Sequence, residues 1–457
     1  MDILVVTPEL SPYERTSTAA DAVAALAKAL CQLEHRVTVA APRRPGFEAS
    51  GLLVARRLTP LALEGGVELT VLDGQLSTGA KLVLFDAPGT EDPTLLGRAA
   101  RALAESRAER GEPFDVVHLH GAQSAAFTLG VRTSPAPVVL TIHDASERGV
   151  VPASVLAQVS VGEIPAGARE GAGVSLLALA ALDADAVTAV SPTVAGDLLD
   201  PERGGALAGV LERGTREAIG ILSGLDYAVA NPATDAALKA RFDAEDVSNK
   251  GSCKTELLRS LGLELDPGRP LVVAPLSAPG DGAELLKSAV PLLLRNDASL
   301  VVLVREPGEI QAAFEALGKE FSGRLGVEVT ADESRVRRAT AGADFMLLPT
   351  PYEPNGVLSR VAQRYGALPI ARAAGAHVDT IVDADAELET GTGFLFDEWS
   401  APALAGAVAR AISAYAAPRF PMLRRRVMRL DLSFDRAARR YVQVYKQVIQ
   451  ARQKPAR

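Results

Sequence analysis

Two side chains stand where a folded chain could bring them to a ligand. His143 closes the run Val138-Val139-Leu140-Thr141-Ile142-His143, and Glu353 follows the run Asp344 to Leu348. Both runs read as strands, and the C-terminal edge of such a strand faces the region where open α/β sheets hold ligands. An imidazole and a carboxylate at those edges can hydrogen-bond a polar ligand. Each also has a structural reading. A strand-end histidine can be satisfied by its neighbours, and Glu353 before Pro354 can cap its own loop. A third feature is Arg15-Thr16-Ser17-Thr18, which precedes a helix-like stretch. Helix N-termini attract anions, yet Ser17 or Thr18 suits a plain N-cap equally well. His35 and His118 read as structural.

The elements that must position these residues form two series. In the first half, strand-like runs lie at Ile3 to Thr7, Arg36 to Ala41, Leu52 to Leu58, Val67 to Leu72, Lys81 to Phe85, Asp115 to His120, Val138 to His143 and Ala186 to Val190. Helical spacing marks Ala19 to Leu33, Pro93 to Arg110 and Val174 to Leu182. The pattern breaks at Gly220-Ile221-Leu222-Ser223-Gly224 and Asn231-Pro232-Ala233-Thr234-Asp235, a linker by its glycine and proline content. A second series follows, with strands at Leu271 to Ala274, Ser299 to Val304, Leu325 to Thr330, Asp344 to Leu348, Leu368 to Ala371 and Gly393 to Phe396. A long helix from Phe434 to Gln450 closes the chain. Short apolar strands between helices predict parallel sheets covered on both faces. Two doubly wound domains then place a ligand cleft between them, outside the C-terminal strand edges.

Composition narrows the function classes. The 457 residues suit two domains, and 48% apolar with 23% charged residues is ordinary for a soluble globular protein. A net charge of −8 gives no basic footprint for nucleic acid or anionic membrane. The two cysteines, Cys31 and Cys253, form no CxxC motif and no disulfide framework. The start Asp2-Ile3-Leu4-Val5-Val6 has no basic segment ahead of it, and no apolar run is long enough to span a bilayer. A cytoplasmic protein is expected.

The run Glu9-Leu10-Ser11-Pro12-Tyr13-Glu14-Arg15-Thr16-Ser17-Thr18-Ala19-Ala20-Asp21-Ala22-Val23 resembles the opening motif of the bacterial glycogen and starch synthases, E-x-x-P-x-x-K-T-G-G-L-A-D-V-V. The likeness continues through Asp115 to His120, Thr141 to Asp144, Asp185 to Thr193, and Gly220 to Asp226 with Asn231 to Asp235. It runs on through Ala341 to Pro349, Tyr352 to Gly356, Arg364 to Pro369, Thr392 to Asp397 and Ser433 to Arg436. The resemblance implies the α/β GT-B fold, two Rossmann-like domains facing across a cleft, with the last helix crossing back. The expected domains are 1–228 on the acceptor side, 229–428 for the nucleotide sugar, and 429–457 for the crossing helix. The implied reaction is retaining transfer of glucose from ADP-glucose, or UDP-glucose, to an α-1,4-glucan. No cofactor or metal is implied, because cationic side chains and backbone amides stabilise the departing diphosphate.

Carried over position by position, the family pattern assigns His143 and Glu353 to catalysis. It assigns Arg15, Thr16, Asp21, His120, Gly356, Tyr365 and Gly375 to donor or substrate binding. It also exposes departures. Arg15, Ser17 and Thr18 replace the Lys and the two glycines of the first motif. The Arg and Lys of S-R-L-T-x-Q-K-G fall on Pro275 and on Gly280 or Asp281. Gly121 replaces an Asp, Leu179 a Lys, Ser223 an Asn, Asp144 an Asn, and Ala374-Gly375-Ala376 stands for T-G-G. The losses cluster on the diphosphate, so impaired or lost catalysis is expected. The alternatives are a glucan-binding or regulatory pseudo-synthase, and a transferase of altered donor gripped by Arg15, Lys250, Arg305 or Arg372.

Overall fold

The structure, a computed structural model, describes residues 1–63, 66–87, 91–129, 134–156, 164–213, 217–276 and 282–453. The chain splits into two compact units, Met1–Gly224 with Phe434–Arg457, and Leu225–Ser433.

The first unit holds a 10-stranded sheet. Its parallel strands lie in the order Ile219–Gly220, Ala186–Ala189, Val138–Ile142, Val116–His120, Asp2–Val6, Arg36–Pro42 and Lys81–Asp86. Chain order reverses on either side of Asp2–Val6, which makes the sheet doubly wound. The expectation of parallel pairing fails at one edge. Glu68–Gln75 runs antiparallel to Lys81–Asp86, and Val54–Arg56 runs antiparallel to Glu68–Gln75. The cause is connection length. The turn after Gln75, with Gly79 at φ +91, is far too short for a parallel crossover.

The first helix, Thr18–Gln32, is rich in alanine and buries Ala20, Val23, Ala27 and Leu30 at helical spacing. Ser17 is its N-cap, accepting from Ala19 N, and Asp21 in the first turn suits the helix dipole. Its Leu26 and Leu30 pack on Ile3, Val5, Val37 and Val39, together with Tyr441, Val444 and Val448 of the last helix, Asp435–Gln453. Each such leucine stabilises the unit by about 2 kcal/mol through apolar burial.

The second unit has a six-stranded, all-parallel sheet in the order Leu325–Val329, Ser299–Val304, Leu271–Leu276, Phe345–Leu348, Leu368–Arg372 and Phe394–Phe396. Alternate residues of the same strands feed two separate cores. Val272, Ala274, Val302, Leu347 and Ile370 enter one, while Val273, Val301, Leu303, Met346 and Ala371 enter the other. That period of two means both faces are covered, as near-continuous apolar strands require. The switch in strand order falls between Leu271–Leu276 and Phe345–Leu348. Gly282 shows how tightly the backbone packs just beyond it. A Cβ there would sit 1.8 Å from Pro349 O, and φ is +83.

Candidate functional site

In the first unit, Asp2–Val6 and Val116–His120 pair in parallel at the switch point. The chain leaves the first strand through Glu9 and the second through His120 and Gly121. Gly121 has φ +73, and a Cβ there would lie 3.7 Å from Pro8 Cγ. The neighbouring strand Val138–Ile142 delivers His143. His120 Nδ1 and His143 Nε2 are 2.9 Å apart, and both rings are buried. Desolvation lowers His143 to about 4 against the opposing pull of Glu9, so the ring is neutral at pH 7. It can hydrogen-bond a hydroxyl but holds no positive charge.

Glu9 organises the turn before the first helix. Its carboxylate accepts from Thr16 N at 2.6 Å, Thr16 Oγ1 at 2.7 Å, Ser17 N at 3.0 Å, and Ser17 Oγ. Ser17 Oγ also accepts from Ala19 N at 3.1 Å. Arg15 Nε donates to Asp21 Oδ2 at 2.7 Å. The amides of residues 16, 17 and 19 are therefore engaged within the chain. Ser17 sits at φ −138 and ψ 171, extended backbone that makes no demand for glycine.

In the second unit, Glu353 lies beyond the C-terminal edge of Phe345–Leu348. Its Oε1 accepts from Asn355 N and Gly356 N, each at 2.9 Å. Its backbone oxygen accepts from Ala376 N at 2.7 Å, forming a bridge to Gly375. Gly375 has φ +59, and a Cβ there would lie 2.3 Å from Glu353 O, so only glycine fits. Gly356, at φ +60, is the N-cap of helix Val357–Arg364. Beneath this loop Arg360 is 1% exposed, and its Nε and Nη2 donate to the carbonyls of Gly356 and Asn355. Burial lowers its guanidinium to about 10 despite the nearby Glu353. His377 is also buried, with Nδ1 3.2 Å from Arg372 O, and desolvation lowers it to about 4.

The geometry groups the sequence candidates unevenly. Arg15 pairs with Asp21, Thr16 binds Glu9, and His120 meets His143. Glu353, Gly356 and Gly375 form one loop cluster. Tyr365 lies apart from them, wholly buried, with its hydroxyl donating to Asp235 at 2.7 Å. Among the proposed replacement cations, Lys250 is 3% exposed and donates to the carbonyls of Thr340, Ala341 and Tyr365, while Arg372 donates to those of Asp397 and Pro351. Pro275 occupies a central strand opposite Leu303. Ser277 to Asp281 lie outside the described residues.

Sequence reasoning passed over Glu9, Arg360 and His377 as site residues. Glu9 had a signal, three residues past a strand end and inside the opening motif. Arg360 and His377 had none, because an arginine on a short helix reads as a solvated charge until its burial is known. A cavity of about 520 Å³ in the first unit, lined by Thr38, Lys81, Arg107 and Phe114, lies toward the strand starts, at the opposite edge from the histidines. Among the described residues, no group of three or more His, Cys, Asp or Glu is placed to hold a metal, and no helix is long and apolar enough to cross a membrane.

Comparison with known proteins places this geometry. Residues 2–213 match the family model for the starch synthase catalytic domain. The chain is similar to the glycogen synthase of Yersinia enterocolitica, at 33% identity over 98% of this chain and 100% of that one. It is similar to the glycogen synthase of Myxococcus xanthus at 31% identity over the same shares. The chain belongs to the glycogen and starch synthase family. A solved structure of the catalytic domain of starch synthase IV from Arabidopsis thaliana, bound to ADP and acarbose, matches with a TM-score of 0.85 and 25% identity, covering 98% of this chain and 99% of that chain. The fold class is that of the GT-B glycosyltransferases, and the two glutamate loops follow the C-terminal ends of parallel strands.

Proposed function

We propose that this glycogen and starch synthase family member has impaired or lost glucosyl transfer, with α-glucan as the ligand it retains and the nucleotide-sugar diphosphate as the ligand it holds weakly. The observation that carries the reading is Pro275, which stands where the family pattern has Arg and brings neither a charge nor an N–H to the first strand of the second sheet. The turn before the first helix supports the same reading. Glu9, Thr16 and Asp21 keep the family's residue types, while Ser17 and Thr18 put side chains where the pattern has glycines, and Ser17 Oγ is engaged with Glu9. Removing one preorganised donor from a developing negative charge costs about 100–1,000-fold in rate. Loss of two costs about 10⁴–10⁶-fold if they act independently.

The test is calorimetry with ADP-glucose, UDP-glucose and glycogen, paired with incorporation of labelled glucose. Glycogen binding with donor affinity in the millimolar range or weaker, and no incorporation, is expected. Turnover near the enzyme median of about 10 s⁻¹ would sink the reading. Tight donor binding without turnover would favour a transferase of altered donor. The combined variant Ser17→Gly, Thr18→Gly, Pro275→Arg and Asp281→Lys is expected to gain donor affinity.

A further inference from the structure

The first unit carries a buried line of hydroxyls and imidazoles that neither the diphosphate nor the sugar reading uses. It starts on the last helix. Tyr445 OH is 2.7 Å from His118 Nδ1, His118 Nε2 is 2.6 Å from Thr141 Oγ1, and Thr141 Oγ1 is 2.6 Å from Thr188 Oγ1. Thr188 Oγ1 donates to Leu140 O at 3.4 Å. Tyr445, His118, Thr141 and Thr188 are all buried. The His118 ring lies with its centroid 4.0 Å from that of His120, whose Nδ1 meets His143 Nε2.

The Tyr445 end of the line sets its direction. The threonine end accommodates it: Thr188 can give its proton to Leu140 C=O and accept from Thr141, whose Oγ1 lies 3.5 Å from Tyr441 OH as well and can accept from His118 Nε2. At the other end, His118 Nδ1 is the hydrogen-bond partner of Tyr445 OH among the described residues. A proton on Nδ1 would leave the phenolic hydrogen buried without an acceptor, at a cost of roughly 1–3 kcal/mol. Burial keeps His118 neutral at pH 7, so one ring nitrogen carries the proton and the other does not. The Tyr445 end therefore selects Nε2–H, and Thr141 Oγ1 stands 2.6 Å away to accept it.

We propose that Tyr445 and His118 are positioning residues. The last helix locks His118 in the Nε2–H tautomer through the Tyr445 hydroxyl, and His118 in turn holds the His120–His143 pair in its orientation at the strand edge. Any consequence for catalysis rests on the family-pattern assignment of His143 given above, but the positioning itself does not. The measurement therefore uses no donor or acceptor, so failure of either idea leaves the other standing.

The experiment is long-range ¹⁵N–¹H correlation on the full chain with labelled histidine, which holds five such residues. His118 is expected as a single Nε2–H tautomer at pH 7. In Tyr445→Phe, which keeps the ring, the His118 signals are expected to move toward a tautomer mixture and those of His120 and His143 to shift with them. His377, in the second unit, is expected to stay in place. Thr141→Val is expected to release the same tautomer and Thr141→Ser to restore it, a split that loss of packing alone would not produce. An Nδ1–H tautomer in the unmodified protein overturns the proposal without any variant. Unmoved His120 and His143 signals in both Tyr445→Phe and Thr141→Val overturn the positioning role.

Discussion

The two units solve one local problem, a glutamate carboxylate holding the backbone of a loop at a strand edge, with different tolerance. In the second unit the Glu353 loop is bound into its surroundings by its own backbone. Gly375 lies against Glu353 O, so close that no Cβ fits, and Gly356 has a left-handed conformation. In the first unit Glu9 binds a turn whose Ser17 is extended, a backbone conformation that any residue adopts. The family pattern has glycines in both places. Gly356 and Gly375, which the backbone needs, remain, and the pair before the first helix has become Ser17 and Thr18. Departure from the family pattern is cheapest where the backbone makes no demand for glycine.

Gly375→Ala tests this contrast most severely. Left-handed strain plus the 2.3 Å contact with Glu353 O is expected to cost about 3–5 kcal/mol, read by urea unfolding through the fluorescence of Trp399, the single tryptophan, which lies in the second unit. A cost below about 1 kcal/mol would mean the loop relaxes freely, and the contrast between units would vanish.

Glu9→Ala comes next. It strips the carboxylate from the amides of Thr16 and Ser17 and is expected to destabilise the first unit by about 2–3 kcal/mol, with faster hydrogen exchange over residues 10–25. If Glu9→Ala is instead neutral in stability and raises affinity for inorganic pyrophosphate, the carboxylate acts mainly as a block on the anion site.

Acid separates the units by a smaller margin. His118 is lowered to about 3 and His143 to about 4 in the first unit, and His377 to about 4 in the second, each mainly by desolvation. The unfolded chain binds protons below pH 6.5 that the folded rings refuse. This stability is whole above pH 6.5 and is lost as pH falls toward the folded values, at up to about 1.4 kcal/mol per pH unit for each ring. Between pH 6.5 and 5 the first unit is expected to lose more than the second, measured by hydrogen exchange against Trp399 fluorescence across a pH series.

The smallest effects belong to positions the fold leaves open. Ser17→Gly, which removes both the cap and the hydroxyl that donates to Glu9, is expected to cost about 1–2 kcal/mol in thermal unfolding. Gly121→Asp is expected to fold with a cost of about 1 kcal/mol or less, since aspartate tolerates left-handed backbone and its Cβ meets Pro8 at ordinary contact distance.

Most strands were legible because each is a short apolar run between helices, and buried parallel strands must read so. The hairpin of Glu68–Gln75 with Lys81–Asp86 was legible as two strands but not as an antiparallel pair. Its direction depends on the shortness of the turn at Gly79, which pattern alone does not weigh. At the site, His143 and Glu353 could be named from their places after strands. The partners that determine what they can do could not.

Sequence by itself determined the family and the doubly wound class, because motif order and residue type survive without coordinates. Tertiary structure decided which charges are already engaged. Glu9 takes the amides before the first helix, Lys250 holds three carbonyls, Tyr365 binds Asp235, and Tyr445 reaches His118 across 327 residues of chain. Hydrogen bonding and desolvation depend on neighbours in space, and those neighbours are set by packing that no local stretch of sequence encodes.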